Sequence, residues 1–181
     1  MRKILLAMDG SDHAQRALEL AVIVAKATGS ELTILNVATE GPITEGEREL
    51  VKTEYAPSFR HALDMVPPPL PLQAADPIPG GPSALIRPDL QAVSGAAMRQ
   101  ELGAQIVQQA AAMARSEGVA KVGTVVEYGD PARVIIRQAE ELKADMTFLG
   151  SRGLGDLQGL LLGSVSHKVA SLAECSVITV R

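Results

Sequence analysis

Five short apolar runs punctuate this chain: Ile4 to Met8, Leu32 to Val37, Val122 to Glu127, Met146 to Leu149, and the alternating Ser176 to Val180. Runs of this length, bounded by turn residues, predict strands. Between them the period changes to that of a helix. Ala14, Ala17, Leu18, Ala21, Val22 and Ala25 form one stripe, and Met98, Leu102, Ile106, Ala110 and Met113 form another. Ile135, Ala139 and Leu142 make a third, and Val165, Val169 and Leu172 a fourth. The punctuation agrees. Ser11 or Asp12 caps the first helix and Gly29 stops it, Gly118 ends the second, and Asp130-Pro131 opens the third. Strands and helices in alternation, joined by short turns, predict parallel strands with right-handed crossovers. The fold class expected is α/β: an open, doubly wound, five-stranded parallel sheet with four helices on its two faces, Rossmann-like, in a single domain over 1–181.

One region breaks the pattern. From about 40 to 90 no period is sustained. Pro67, Pro68, Pro69, Pro71, Pro77, Pro79, Pro82 and Pro88 argue against a helix or a central strand. Glu45 to Glu54 is charged and is the one candidate for a short helix. A proline-rich insert of this length is either a loose surface loop or an arm packed on a ligand or partner.

Open parallel sheets bind ligands at the carboxyl ends of the strands, where the strand order reverses. The strands ending at Asp9 and at Gly150 are the candidates to flank that crevice. After the second of these comes Gly150-Ser151-Arg152-Gly153-Leu154-Gly155, then Gly159, Gly163 and Ser164, and then a helix. Glycines permit positive φ and close approach of the backbone. The free N–H groups of the following helix favour an anion. Ser164 either donates to that anion or caps its own helix. Arg152 either pairs with it or is solvated. Asp9 either shapes its turn or faces the ligand, and it is the candidate to meet a phosphate-bound cation. No Gly-Lys-Ser/Thr occurs, so the loop is not a Walker A loop.

Composition removes several classes of function. The net charge of -4 argues against a nucleic-acid backbone binder. With 2 Phe, 2 Tyr and no Trp, a base-stacking surface is not expected. The only cysteine is Cys175, so no internal disulfide is possible and a reducing, cytoplasmic compartment fits. Neither a signal peptide nor a membrane-spanning stretch is expected. His13 and His61 show no triad pattern, His167 and Lys168 are expected on a solvent face, and nothing has metal-ligand spacing.

Gly150, two residues, Gly153, nine residues, then Gly163-Ser164 resembles the nucleotide loop of the universal stress protein family. Lys3 to Ser11, Leu32 to Val37, Gly129 to Ala132 and Ala144-Asp145 add to the resemblance. The resemblance implies a fold that binds ATP or AMP, with Mg2+ or Mn2+ carried on the phosphates. It places Asp9 beside the adenosine and Val37 against adenine through its backbone. It sets Gly150, Gly153, Gly163 and Ser164 around ribose and phosphates, and Arg152 and Val165 beside them are further candidates to bind the ligand. It further implies a homodimer through the last strand, here Val177 to Val180. The function expected is that of a nucleotide-dependent, stress-response switch with an unidentified protein partner. The alternatives are a slow ATP-hydrolysing or adenylyl- or phosphoryl-transferring enzyme, and a nucleotide-free interaction module that uses the insert.

Overall fold

The computed structural model describes residues 2–40, 44–55, 87–154 and 162–181. Its elements, in chain order, are β1 (Lys3–Ala7), α1 (Asp12–Thr28), β2 (Glu31–Ala38), α2 (Glu45–Thr53), α3 (Arg87–Ser116), β3 (Val122–Tyr128), α4 (Pro131–Leu142), β4 (Met146–Gly150), α5 (Ser164–Leu172) and β5 (Ser176–Val180). The strands form one parallel sheet in the order β3-β2-β1-β4-β5. The chain steps outward from β1 to β2 to β3, returns to the far side of β1 for β4, and steps outward again to β5. Right-handed crossovers then send helices from the two halves to opposite faces. The core divides accordingly. Ile4, Leu6, Leu32 and Ile34 pack with α1, α2 and α3, whereas Leu5, Leu35 and Leu149 pack with α4 and α5. Residues of opposite parity in β1 thus serve two separate cores.

The local signals explain the boundaries. Ser11 caps α1 by accepting a hydrogen bond from Ala14 N–H at 3.3 Å, and Gly29 ends it at φ 63°. Asp130 caps α4 through Arg133 N–H at 2.9 Å, with Pro131 at the first helical position. Three expectations are corrected. Pro88 lies inside α3, in its first turn, where a missing N–H breaks no helical hydrogen bond. Ser164 does not cap α5: Gly163 occupies the cap position and Ser164 is the first helical residue. Leu172 is 65% exposed although Val169 on the same stripe is fully buried. The helices of the described residues number five rather than four, since Glu45–Thr53 is helical. The prolines at 67–71, 77, 79 and 82 lie outside the described residues.

Leu6 is fully buried in the central strand, between β2 and β4. Leu6→Ala leaves a cavity that cannot collapse against two fixed strands. It is expected to cost about 2–5 kcal/mol in urea unfolding, with the m-value unchanged.

Candidate functional site

The crevice opens where strand order reverses, between the ends of β1 and β4. Pairing of β1 with β2 stops at Ala7 and Leu35, but β2 continues along β3 to Ala38. Leu35 C=O accepts from Met8 N–H at 2.8 Å, so the backbone groups of Leu35 point toward β1. Those of Val37, two residues on, point the same way at a level where β1 has ended. Asn36 closes the end of β1 by donating its side-chain N–H to Met8 C=O at 2.7 Å. Helix α3 comes so close here that a Cβ on Gly103 would collide with Asn36 Oδ1.

Across the crevice, β4 runs into the glycine loop. Ser151 N–H donates to Val180 C=O at 2.7 Å, and Ser151 C=O accepts from Gly163 N–H at 2.7 Å and from the Ser166 hydroxyl at 2.8 Å. Both ends of the loop are therefore tied to the sheet through Ser151, which is 1% exposed. None of Gly150, Gly153 and Gly163 has positive φ, which corrects the expectation of a turn-forming role. Their need for glycine is steric and differs from one to the next. A Cβ on Gly150 would lie 2.9 Å from the backbone of His13 and Ala14, where α1 starts. One on Gly153 would lie 2.5 Å from Asp9 Oδ2. One on Gly163 would meet ordinary contacts, 3.4 Å or more away.

Asp9 joins the two halves. Its Oδ1 accepts from the Ser11 N–H at 3.0 Å and the Ser11 hydroxyl at 2.6 Å, and its Oδ2 accepts from Leu154 N–H at 3.2 Å. It shapes the turn and holds the loop at once. Helix α5 then starts at Gly163 with no side-chain cap, which leaves its first N–H groups for an anion.

All eight residues expected at the site, Asp9, Val37, Gly150, Arg152, Gly153, Gly163, Ser164 and Val165, line one cavity of about 350 Å3. Its remaining wall was not visible in the pattern of the sequence. Arg99, 5% exposed on α3, donates to both carboxylate oxygens of Glu47 at 2.5 and 2.9 Å, and to Thr39 C=O at 3.3 Å. Thr44 and Glu47 form a capping box at the start of α2. The Thr-x-x-Glu spacing is the one sequence signal that marks this wall. His13 does have a partner, since its Nδ1 lies 3.3 Å from Ser151 Oγ, but burial of Ser151 denies a substrate access to that hydroxyl. His167 and Lys168 are exposed, as expected. Among the described residues no group of three or more His, Cys, Asp or Glu could hold a metal, and no helix is long and apolar enough to cross a membrane.

The family model for the universal stress protein family matches residues 1–64 and 80–181. The chain belongs to the universal stress protein family. Universal stress protein YxiE of Bacillus subtilis strain 168 is 32% identical over 182 residues, covering 99% of this chain and 98% of that protein. Among solved structures, the universal stress protein UspA from Lactobacillus plantarum superposes with a TM-score of 0.59 at 22% identity, covering 99% of this chain and 97% of that one. A universal stress protein in complex with cAMP gives a TM-score of 0.58 at 22% identity, with the same coverage of both chains. These likenesses establish the five-stranded α/β fold as that of universal stress proteins.

Burial works to raise the pKa of Glu47, but hydrogen bonds from Arg99, and then from the Thr44 backbone and hydroxyl, outweigh it and hold the carboxyl below its ordinary value of 4.5. A carboxyl depressed in the folded state contributes stability above that ordinary value and loses it as pH falls through the folded pKa. Among the described residues, Asp9 and Arg152 are the other charged groups bordering this cavity. The difference in unfolding free energy between wild type and Glu47→Gln is expected to be constant from pH 7 to 5. It should then shrink toward zero below 4.5, as the protonated acid comes to resemble the amide. Chemical denaturation across that pH range measures it.

Proposed function

We propose that the crevice binds an adenine nucleotide, ATP or AMP, and that the protein acts as a nucleotide-dependent regulator. The observation that carries this reading is the meeting, in one cavity, of a complete glycine loop with an uncapped helix start and an extended β2 backbone edge. In parallel sheets neighbouring strands are about 4.8 Å apart, so the ends of β2 and β4, with β1 between them, are roughly 10 Å apart. That separation suits a base at one end and phosphates at the other. On this reading Val37 meets adenine through its backbone, Asp9 lies beside the ribose, and Gly150, Arg152, Gly153, Gly163, Ser164 and Val165 surround ribose and phosphates. A related protein of this fold has been solved with cAMP, which favours an adenine ligand over other anions. Mg2+ or Mn2+ would be carried by the phosphates, because both carboxylate oxygens of Asp9 already accept hydrogen bonds from the protein. We place the protein in the cytoplasm, where a lone cysteine stays reduced.

We also propose a homodimer through β5. This edge strand pairs with β4 on one side and leaves half-buried Val177, Ile178 and Val180 at the sheet's margin. Pairing with a second copy would cover that edge. Wild type is expected to sediment as a dimer and Ile178→Lys as a monomer, and a wild-type monomer would contradict the assignment.

A Gly163→Val side chain is expected to fill the phosphate approach and abolish ATP binding in calorimetry, with adenosine affinity largely kept. Ser164→Ala should weaken ATP by about 1–3 kcal/mol, the range for a hydrogen bond to a charged phosphate. Unchanged ATP affinity in folded Gly163→Val would refute the phosphate assignment.

A further inference from the structure

We propose that Arg99 is a positioning residue for both ends of the cavity, acting through Thr39 at the base end and through Glu47 and α2 at the phosphate end. The proposal rests on the nucleotide reading above.

Helix α2 touches three borders of the site. Glu47 is held by Arg99 in a two-pronged, charge-assisted pair that is largely buried. One residue earlier, Gly46 lies so close to the Leu154 carbonyl that a Cβ there would collide with it. Leu50 lies against Gly10 in the turn after β1, 2.6 Å from where a Cβ would stand, and Val51 is fully buried in the core. The helix is thus wedged between the β1–α1 turn, the glycine loop and α3. Leu154 in turn donates its N–H to Asp9. A continuous path of contacts runs from Arg99 through Glu47 and Gly46 to Leu154 and Asp9. A second, shorter path runs from Arg99 to Thr39 C=O, two residues beyond Val37.

The chemistry suits a positioning role. A planar guanidinium fixes two partners at set angles, which an ammonium cannot do. Removing it leaves the Glu47 carboxylate in a low-dielectric site with its strongest partner gone, so the carboxylate must move outward or take up a proton. Either response shifts α2, and with it the carbonyl against which the glycine loop rests. Gly46 tests the path through α2 without touching the contact from Arg99 to Thr39. Adding a methyl group there pushes on a backbone oxygen, which has no rotamer through which to yield.

The experiment uses the full chain and four proteins: wild type, Arg99→Met, Arg99→Lys and Gly46→Ala. Calorimetry with ATP and with adenosine is paired with amide hydrogen exchange over residues 46–51 and 150–154. Arg99→Met is expected to weaken both ligands by at least about tenfold, the equivalent of one lost charge-assisted hydrogen bond. It should also raise exchange in both segments. Arg99→Lys should recover only part of the loss. Gly46→Ala should weaken ATP by a similar factor and adenosine by less, because Leu154 and Asp9 are displaced while the contact from Arg99 to Thr39 stays. Equal affinities and unchanged exchange in Arg99→Met would overturn the proposal, as would full recovery in Arg99→Lys. If Arg99→Met does not fold, Glu47→Gln replaces it as a test of the α2 path. ATP is then expected to weaken and exchange to rise in both segments, with adenosine affected less because Arg99 still holds Thr39. Unchanged ATP affinity and exchange in Glu47→Gln overturn the proposal. If wild type binds neither ligand, the nucleotide reading fails, and exchange still decides the positioning role: unchanged protection of 46–51 and 150–154 in Arg99→Met overturns it.

Discussion

The whole arrangement depends on the position of β1 in the sheet. It lies at the centre, with β2 on one side and β4 on the other, and it is shorter than β2 at the carboxyl end. Because the chain leaves it in one direction and comes back on the other, a crevice opens at its end. The gap is therefore a product of topology, and the side chains only furnish it. Four of its borders are element ends, namely the last backbone groups of β2, the turn after β1, the loop after β4 and the start of α5, and the middle of α3 from Arg99 to Ile106 makes a further wall. Element ends carry unpaired backbone N–H and C=O groups, which is why a cavity here is polar along its rim although the strands beneath it are apolar.

Close approach, more than unusual backbone angles, explains the residues of the glycine loop. Gly150 yields to the start of α1, and Gly153 yields to the carboxylate of Asp9. Gly163 faces only ordinary contacts, which leaves its open side for a ligand. The three glycines of one motif thus have three different surroundings. Asp9 ties the turn and the loop together, since the same carboxylate fixes the turn after β1 and receives a loop N–H. A site built this way is preorganised before any ligand arrives.

Much of this was legible in the sequence because it is written in local patterns. The strands at Lys3–Ala7 and Met146–Gly150, the stripe of Ala14 to Ala25, the cap at Asp130 and the stop at Gly29 are each recorded within a few residues. That the eight expected residues would line one cavity was legible because topology gathers strand ends and the motif marks them. Arg99 and Glu47 were not. They lie 52 residues apart, and a charged residue beside an apolar stripe has no period of its own. Leu172 was misread for a related reason: its spacing fits the stripe, but spacing does not say which positions of a stripe the rest of the fold covers. The steric demands on Gly46 and Gly103 belong to the same class, because each is set by an atom distant in the chain.

The most direct test of the central claim is to denature the purified full-length chain and identify the released small molecules by liquid chromatography and mass spectrometry. Protein found empty would then be titrated with ATP and magnesium. The account predicts ATP or AMP, either carried through purification near one per chain or taken up on addition. Protein that is empty and also fails to take up ATP would contradict it, because the cavity at the end of β1 would then not be a nucleotide site.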